Sequence, residues 1–201
     1  MASKQQIQTC EAILGEYGAS LAGKTILITG VAPDSIAGEL AFQLSAVKPA
    51  LLVVSARSEA RIEPVVARIK QQNPNVATRF LKMDLSDQSD VRSAAASLSD
   101  LPKIDHFLAI AGVMWPPYSK TVDGIESQLA VNYVSNFLLV KLLLPQIEAA
   151  GRGSSIVIMA SSTVRNGVIN FENVNYTVRF FLFQFQFQNK ISLIDRTIYN
   201  I

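Results

Sequence analysis

From Lys24 onward, short apolar runs alternate with amphipathic stretches, and this alternation restricts the fold more than any other feature of the chain. The first run, TILIT at 25–29, is closed by Gly30 and has the pattern of a strand buried on both faces. Residues 36–47 follow with Ile36, Leu40, Leu44 and Val47 at spacings of three and four, which predicts a helix stopped by Pro49. LLVV at 51–54 reads as a second buried strand. Residues 59–72 read as a helix with Ile62, Val65, Val66 and Ile69 on its inner side, ended by the turn Asn73-Pro74-Asn75. A strand at 77–83, a helix at 88–98 and a strand at 105–110 continue the series. Residues 121–150 carry a long helical pattern, expected to break or bend near Pro145, and 155–159 supply a fifth strand. Successive β-α units pair in parallel through right-handed crossovers, so the expected fold is α/β, a doubly wound parallel sheet between two helix layers.

At 201 residues and 49% apolar content, the chain can bury roughly 70% of its unfolded surface, enough for one core without staples. The pattern predicts a single domain over 1–177 and an atypical segment over 178–201. One cysteine, Cys10, and one histidine, His106, argue against an internal disulfide, a structural zinc site and a Cys-His hydrolase. Basic and acidic side chains, 18 against 16, are interleaved, so nucleic acid is not an expected partner. Residues 1–18 lack the charged-then-apolar design of a signal peptide, and no apolar run of membrane-spanning length stands out. The expectation is a cytoplasmic protein without a membrane partner. Residues 178–188, VRFFLFQFQFQ, alternate Phe with Gln at strand period and resemble an aggregation-prone edge more than another β-α unit, so the sheet is expected to be C-terminally incomplete.

The most informative stretch for chemistry is TGVAPDSIA at 29–37, between the first strand and the first helix. In a doubly wound sheet this turn receives a nucleotide pyrophosphate. Gly30 permits a sharp turn, and the helix beginning near Ser35 or Ile36 points free N–H groups and its positive dipole end outward. Pro33-Asp34-Ser35 equally makes an ordinary turn and N-cap.

This turn, together with Asp84-Leu85, Ala111-Gly112, Val131-Asn132-Tyr133 and IVIMASS at 156–162, resembles the short-chain dehydrogenase/reductase family, above all its retinol-dehydrogenase-like and fungal members. The resemblance covers 23 to about 177 and implies a three-layer sandwich of the Rossmann type. It implies cofactor contacts from Gly30, Val31, Ser35 and Ile36 in the turn, from Asp84 to the adenine amino group, and from Ala111 and Gly112. Arg57, just past the second strand, stands where NADP-preferring members place a cation for the 2′-phosphate, and no acid ends that strand to hold a ribose hydroxyl. The implied cofactor is NADP, and the implied substrate a small-molecule alcohol or carbonyl compound. Ser162, with Ser161 as its alternate, matches the serine that binds the carbonyl oxygen, and Asn132 the asparagine of the proton relay. Ala109 and Ile110 replace the asparagines that brace the family's turn before Ala111-Gly112. No tyrosine is followed four residues later by lysine, the pair on which the family's proton transfer depends. Tyr176 falls in a stretch similar to the loop that precedes the family's catalytic helix. Two readings stand: an NADP-dependent oxidoreductase, which relatives suggest forms a homo-oligomer, and a catalytically inactive nucleotide-binding or interaction protein.

Overall fold

The computed structural model describes residues 9–161 and 171–175. The expected strand at 178–188, Tyr176 and Ser162 lie outside these described residues. Within them, the strands are β1 (Thr25–Thr29), β2 (Leu51–Ala56), β3 (Ala77–Lys82), β4 (His106–Ala109) and β5 (Ser155–Ile158). They pair in parallel throughout, in the order β3-β2-β1-β4-β5. The sheet therefore grows outward from β1 to β3 and then restarts on the other side of β1, the doubly wound, Rossmann-like arrangement that the β-α alternation implies.

Both faces of the sheet are buried, which is why its central strands read as unbroken apolar runs. Ile26, Ile28, Leu52 and Val54 face the helices α2 (Ile36–Ser45) and α3 (Glu59–Gln72), meeting Ala41, Leu44, Ile62, Val65 and Ile69. Leu27, Val53 and Phe107 face the opposite layer, where Val91 of α4 (Gln88–Ser97) and Leu98, its C-cap, pack beside Leu139, Leu143 and Ile147. Burial of each such side chain stabilises the fold by roughly 1.5–3 kcal/mol. An additional N-terminal helix, α1 (Cys10–Tyr17), is capped by the Thr9 hydroxyl; it buries no residue fully and sets Leu14 half-buried against the α2–α3 side of the core.

The long helical stretch differs from its expected form in three ways. It begins at Ser127 because 121–126 form a tight turn at Asp123-Gly124, with Gly124 at φ +76° and Thr121 N–H donated to Ile125 O at 2.8 Å. It continues unbroken through Pro145. The irregularity lies instead near its start, where α5 (Ser127–Leu129) passes into a π-turn (Ala130–Val134) before α6 (Ser135–Glu148). Finally, Ser127–Glu148 is, by length and composition, long and apolar enough to cross a membrane, with mean hydropathy 1.3, contrary to the expectation that no such run exists. Scattered Asn132, Asn136 and Lys141 disguise that run in the sequence, and in the fold Leu139, Leu143 and Ile147 lie fully buried against the sheet.

Candidate nucleotide site

Between the C-terminal ends of β1 and β4 the sheet reverses its direction of growth, and the loops leaving those strands diverge around a cleft of about 460 Å³. Its walls bring together all eight residues expected to bind cofactor: Gly30, Val31, Ser35, Ile36, Arg57, Asp84, Ala111 and Gly112.

The floor depends on two glycines. Gly30 has φ +81°, and a Cβ there would stand 2.7 Å from Ala111 Cα, so the β1 and β4 loops approach as closely as they do only because this position has no side chain. Gly38, one turn into α2, was not singled out by sequence reasoning. A Cβ there would meet Ala32 O at 2.0 Å, which makes it indispensable to the packing of the turn on the helix. Its only sequence signal is a glycine placed inside an otherwise good helical pattern.

The turn is tied by its own polar groups. Gly30 and Val31 N–H both donate to Ser55 O at 3.0 Å, and Ala111 N–H donates to the buried Thr29 Oγ1 at 3.2 Å. Val31 turns its side chain into the core, 1% exposed. Ser35 Oγ accepts from Ala32 N–H at 3.0 Å and Gly38 N–H at 2.9 Å, so its hydroxyl shapes the turn and caps α2. With Gly38 thus capped, the N–H groups of Ile36 and Ala37, both lining the cleft, are the first-turn donors that an α-helix leaves without an intrahelical partner.

Around the rim, Arg57 and Arg61 are exposed where β2 gives way to α3, Arg57 in the bend before the helix and Arg61 in its first turn. Arg61 was legible only as the residue four beyond Arg57. Asp84 is half-buried, its Oδ1 accepting from Ser86 N–H at 2.9 Å and Ser86 Oγ at 2.7 Å. Asn132 does not line the cleft; its carboxamide is bonded to both backbone groups of Val113, which does. Ser161 is half-buried beyond the end of β5, outside the lining, while Met159 closes that side. Among the described residues no group of three or more His, Cys, Asp or Glu side chains could hold a metal ion. A cradle that a Cβ would fill, two helix N–H donors and a basic rim together fit a dinucleotide's phosphates.

The profile of the short chain dehydrogenase family matches residues 24–177. Retinol dehydrogenase 14 of Mus musculus is 33% identical over 164 residues, covering 76% of this chain and 48% of that protein. Oxidoreductase fscI of Fusarium equiseti is 31% identical over 173 residues, covering 85% and 64%. Among solved structures, an uncharacterized protein from Mycobacterium paratuberculosis superposes with TM-score 0.69 at 27% identity, covering 86% of this chain and 60% of the other. A Serratia marcescens short-chain dehydrogenase/reductase, at 20% identity and TM-score 0.60, shares the fold. The chain spans about half to two thirds of the length of these curated relatives. On this match the chain belongs to the short-chain dehydrogenase family.

Proposed function

We propose that the chain is an NADP(H)-binding oxidoreductase acting on an alcohol/carbonyl pair, a reading that goes beyond the family's general use of nicotinamide cofactors on small molecules. The observation that carries it is the switch-point cleft with Arg57 and Arg61 at its basic rim and Ser55-Ala56, without an acid, ending β2. The Ile36 and Ala37 N–H groups would hold the pyrophosphate, Arg57 with Arg61 the 2′-phosphate, and Asp84 the adenine amino group. Ala111 and Gly112 would form the wall beside the nicotinamide, which when bound supplies the site for hydride transfer. Ser161 or Ser162 would orient the substrate oxygen, and Asn132 keeps the wall in place through Val113.

One observation favours a second reading, nucleotide binding without turnover. Among the described residues no tyrosine lines the cleft: Tyr118 donates its hydroxyl to Asn175 O at 3.0 Å, and the Tyr133 ring stacks on Phe137. Titration of the purified chain with NADPH and NADH, beside Arg57→Ala, followed by a carbonyl-reduction assay, separates the readings. Arg57→Ala is expected to weaken NADPH about 10- to 100-fold, the worth of a charge-assisted hydrogen bond, and to leave NADH unchanged. Equal affinity for the two nucleotides in both proteins would remove the NADP assignment. Binding without turnover would support the second reading.

A further inference from the structure

Gln128, Asn132 and Asn136 follow one another at intervals of four along the helix behind the cleft, and all are buried, at 3%, 7% and 2% exposure. Two of them grip the loop that leaves β4. Gln128 Oε1 accepts from Trp115 N–H at 3.0 Å, Asn132 Oδ1 accepts from Val113 N–H at 2.8 Å, and Asn132 Nδ2 donates to Val113 O at 2.9 Å. Trp115 sits at φ +54°, a conformation a bulky residue adopts only when its surroundings enforce it.

Asn136 bonds instead to its own helix. Its Nδ2 donates to the carbonyls of Val131 at 2.9 Å and Asn132 at 3.2 Å, both inside the π-turn Ala130–Val134. Widening a helix by one residue detaches carbonyls from their usual N–H partners, and here a side chain one turn further on supplies the donor. Its Oδ1 is buried with no hydrogen-bond partner among the described residues. An apolar side chain of the same size would bury no such orphan, so the carboxamide's contribution at this position is its donor.

We propose that Asn136 is a positioning residue. By closing the π-turn carbonyls it fixes the pitch at which Asn132 meets Val113, and so holds the β4 loop where it forms the wall of the nucleotide cleft. The link to nucleotide affinity rests on the cofactor reading above; the link to loop position does not.

Trp115 is the chain's single tryptophan, so its emission and its quenching by acrylamide report the loop without any ligand. The full chain is compared with Asn136→Leu, which removes the donor at similar size, and Asn136→Ser, whose hydroxyl can still donate to the carbonyl four residues back. Leu143→Ala, a fully buried position on α6, provides a control that lowers stability by a cavity away from the loop. Asn136→Leu is expected to increase Trp115 quenching and weaken NADPH about tenfold, the worth of about one net hydrogen bond. Asn136→Ser is expected to give intermediate changes, and Leu143→Ala to lower Tm with neither change. Loss of Tm alone in both Asn136 variants, with quenching and affinity as in the unsubstituted chain, would overturn the proposal. If Asn136→Leu does not fold, unchanged quenching in Asn136→Ser overturns it equally. If the unsubstituted chain binds no NADPH, the cofactor reading falls, and quenching across the variants alone decides the role of Asn136.

Discussion

At the scale of single residues, three glycines with different surroundings separate backbone conformation from close approach. Gly23 has φ +71° with nothing within 4 Å of its absent Cβ, Gly30 combines φ +81° with contact against Ala111, and Gly38 is helical but faces Ala32 O. Gly23→Ala is therefore expected to cost about 1–2 kcal/mol, the left-handed penalty alone. Gly30→Ala and Gly38→Ala should each cost more, about 3 kcal/mol, because backbone has to move. Urea unfolding of the three variants checks this order, and a Gly38→Ala protein as stable as the parent would contradict the packing assigned to α2. Gly30 and Ser35 were legible in sequence because a strand-ending glycine and a capping serine have local meanings. Gly38 was not, since its reason is a carbonyl that only the folded turn brings near. The resemblance singles out Asn132 as the proton-relay asparagine, whereas its hydrogen bonds to the backbone of Val113 were not legible in sequence.

At the scale of elements, boundaries set by local chemistry were readable and those set by tertiary contact were not. Helix α3 occupies 59–72 as its amphipathic spacing indicates, whereas the helix at 127–148 starts later than its apolar periodicity suggests. The reason is Glu126, a buried carboxylate that accepts from Gln128 N–H at 2.9 Å and Leu129 N–H at 2.8 Å and so marks the N-cap. Its own N–H donates to Asn175 Oδ1 at 2.9 Å, a contact 49 residues away that no local pattern announces. Pro145 does not end α6, which runs on to Glu148 although the ring supplies no N–H to the carbonyl four residues back. Glu126→Ala is expected to lower stability by about 1–2 kcal/mol, with most of it regained in Glu126→Gln, whose amide oxygen can still accept. Thermal unfolding of the two variants checks this, and equal losses would mean that charge, not the cap, is what matters there.

At the scale of the whole molecule, the doubly wound parallel sheet followed from the β-α alternation, and with it the end of the sheet where a nucleotide cleft opens; what the alternation could not supply is how the opposite end is fastened. There Asp105, 1% exposed, joins the first residues of β1 and β4: Oδ2 accepts from Thr25 N–H at 2.9 Å, and Oδ1 from Lys24 Nζ and Lys103 Nζ at 3.1 Å each. Burial pushes its carboxyl upward, but the Thr25 N–H and the two ammonium groups outweigh that and hold it below the usual carboxylate range. Beside it, burial lowers the His106 imidazole, partly opposed by the Asp105 charge and assisted by Lys24, while Nδ1 lies 2.8 Å from Ser155 Oγ on β5. The two shifts act in different pH windows with the same sign. The unfolded histidine takes up its proton near pH 6.5 while the folded one resists, so its contribution is complete above about 6.5 and declines as pH falls below that, until the folded group itself titrates. The Asp105 contribution is complete above about pH 3.9 and is lost only as pH falls through the lower folded value. Unfolding free energies measured in urea from pH 8 to about pH 2 should therefore fall in two steps. His106→Gln should flatten the step below about 6.5 and keep the acid one. Asp105→Asn should lose about 1.5–3 kcal/mol already at neutral pH, because it removes the charge from the bonds to Thr25 N–H, Lys24 and Lys103. A His106→Gln protein with an undiminished slope between pH 7 and 5 would show that the fastening at this end of the sheet owes nothing to the neutral imidazole.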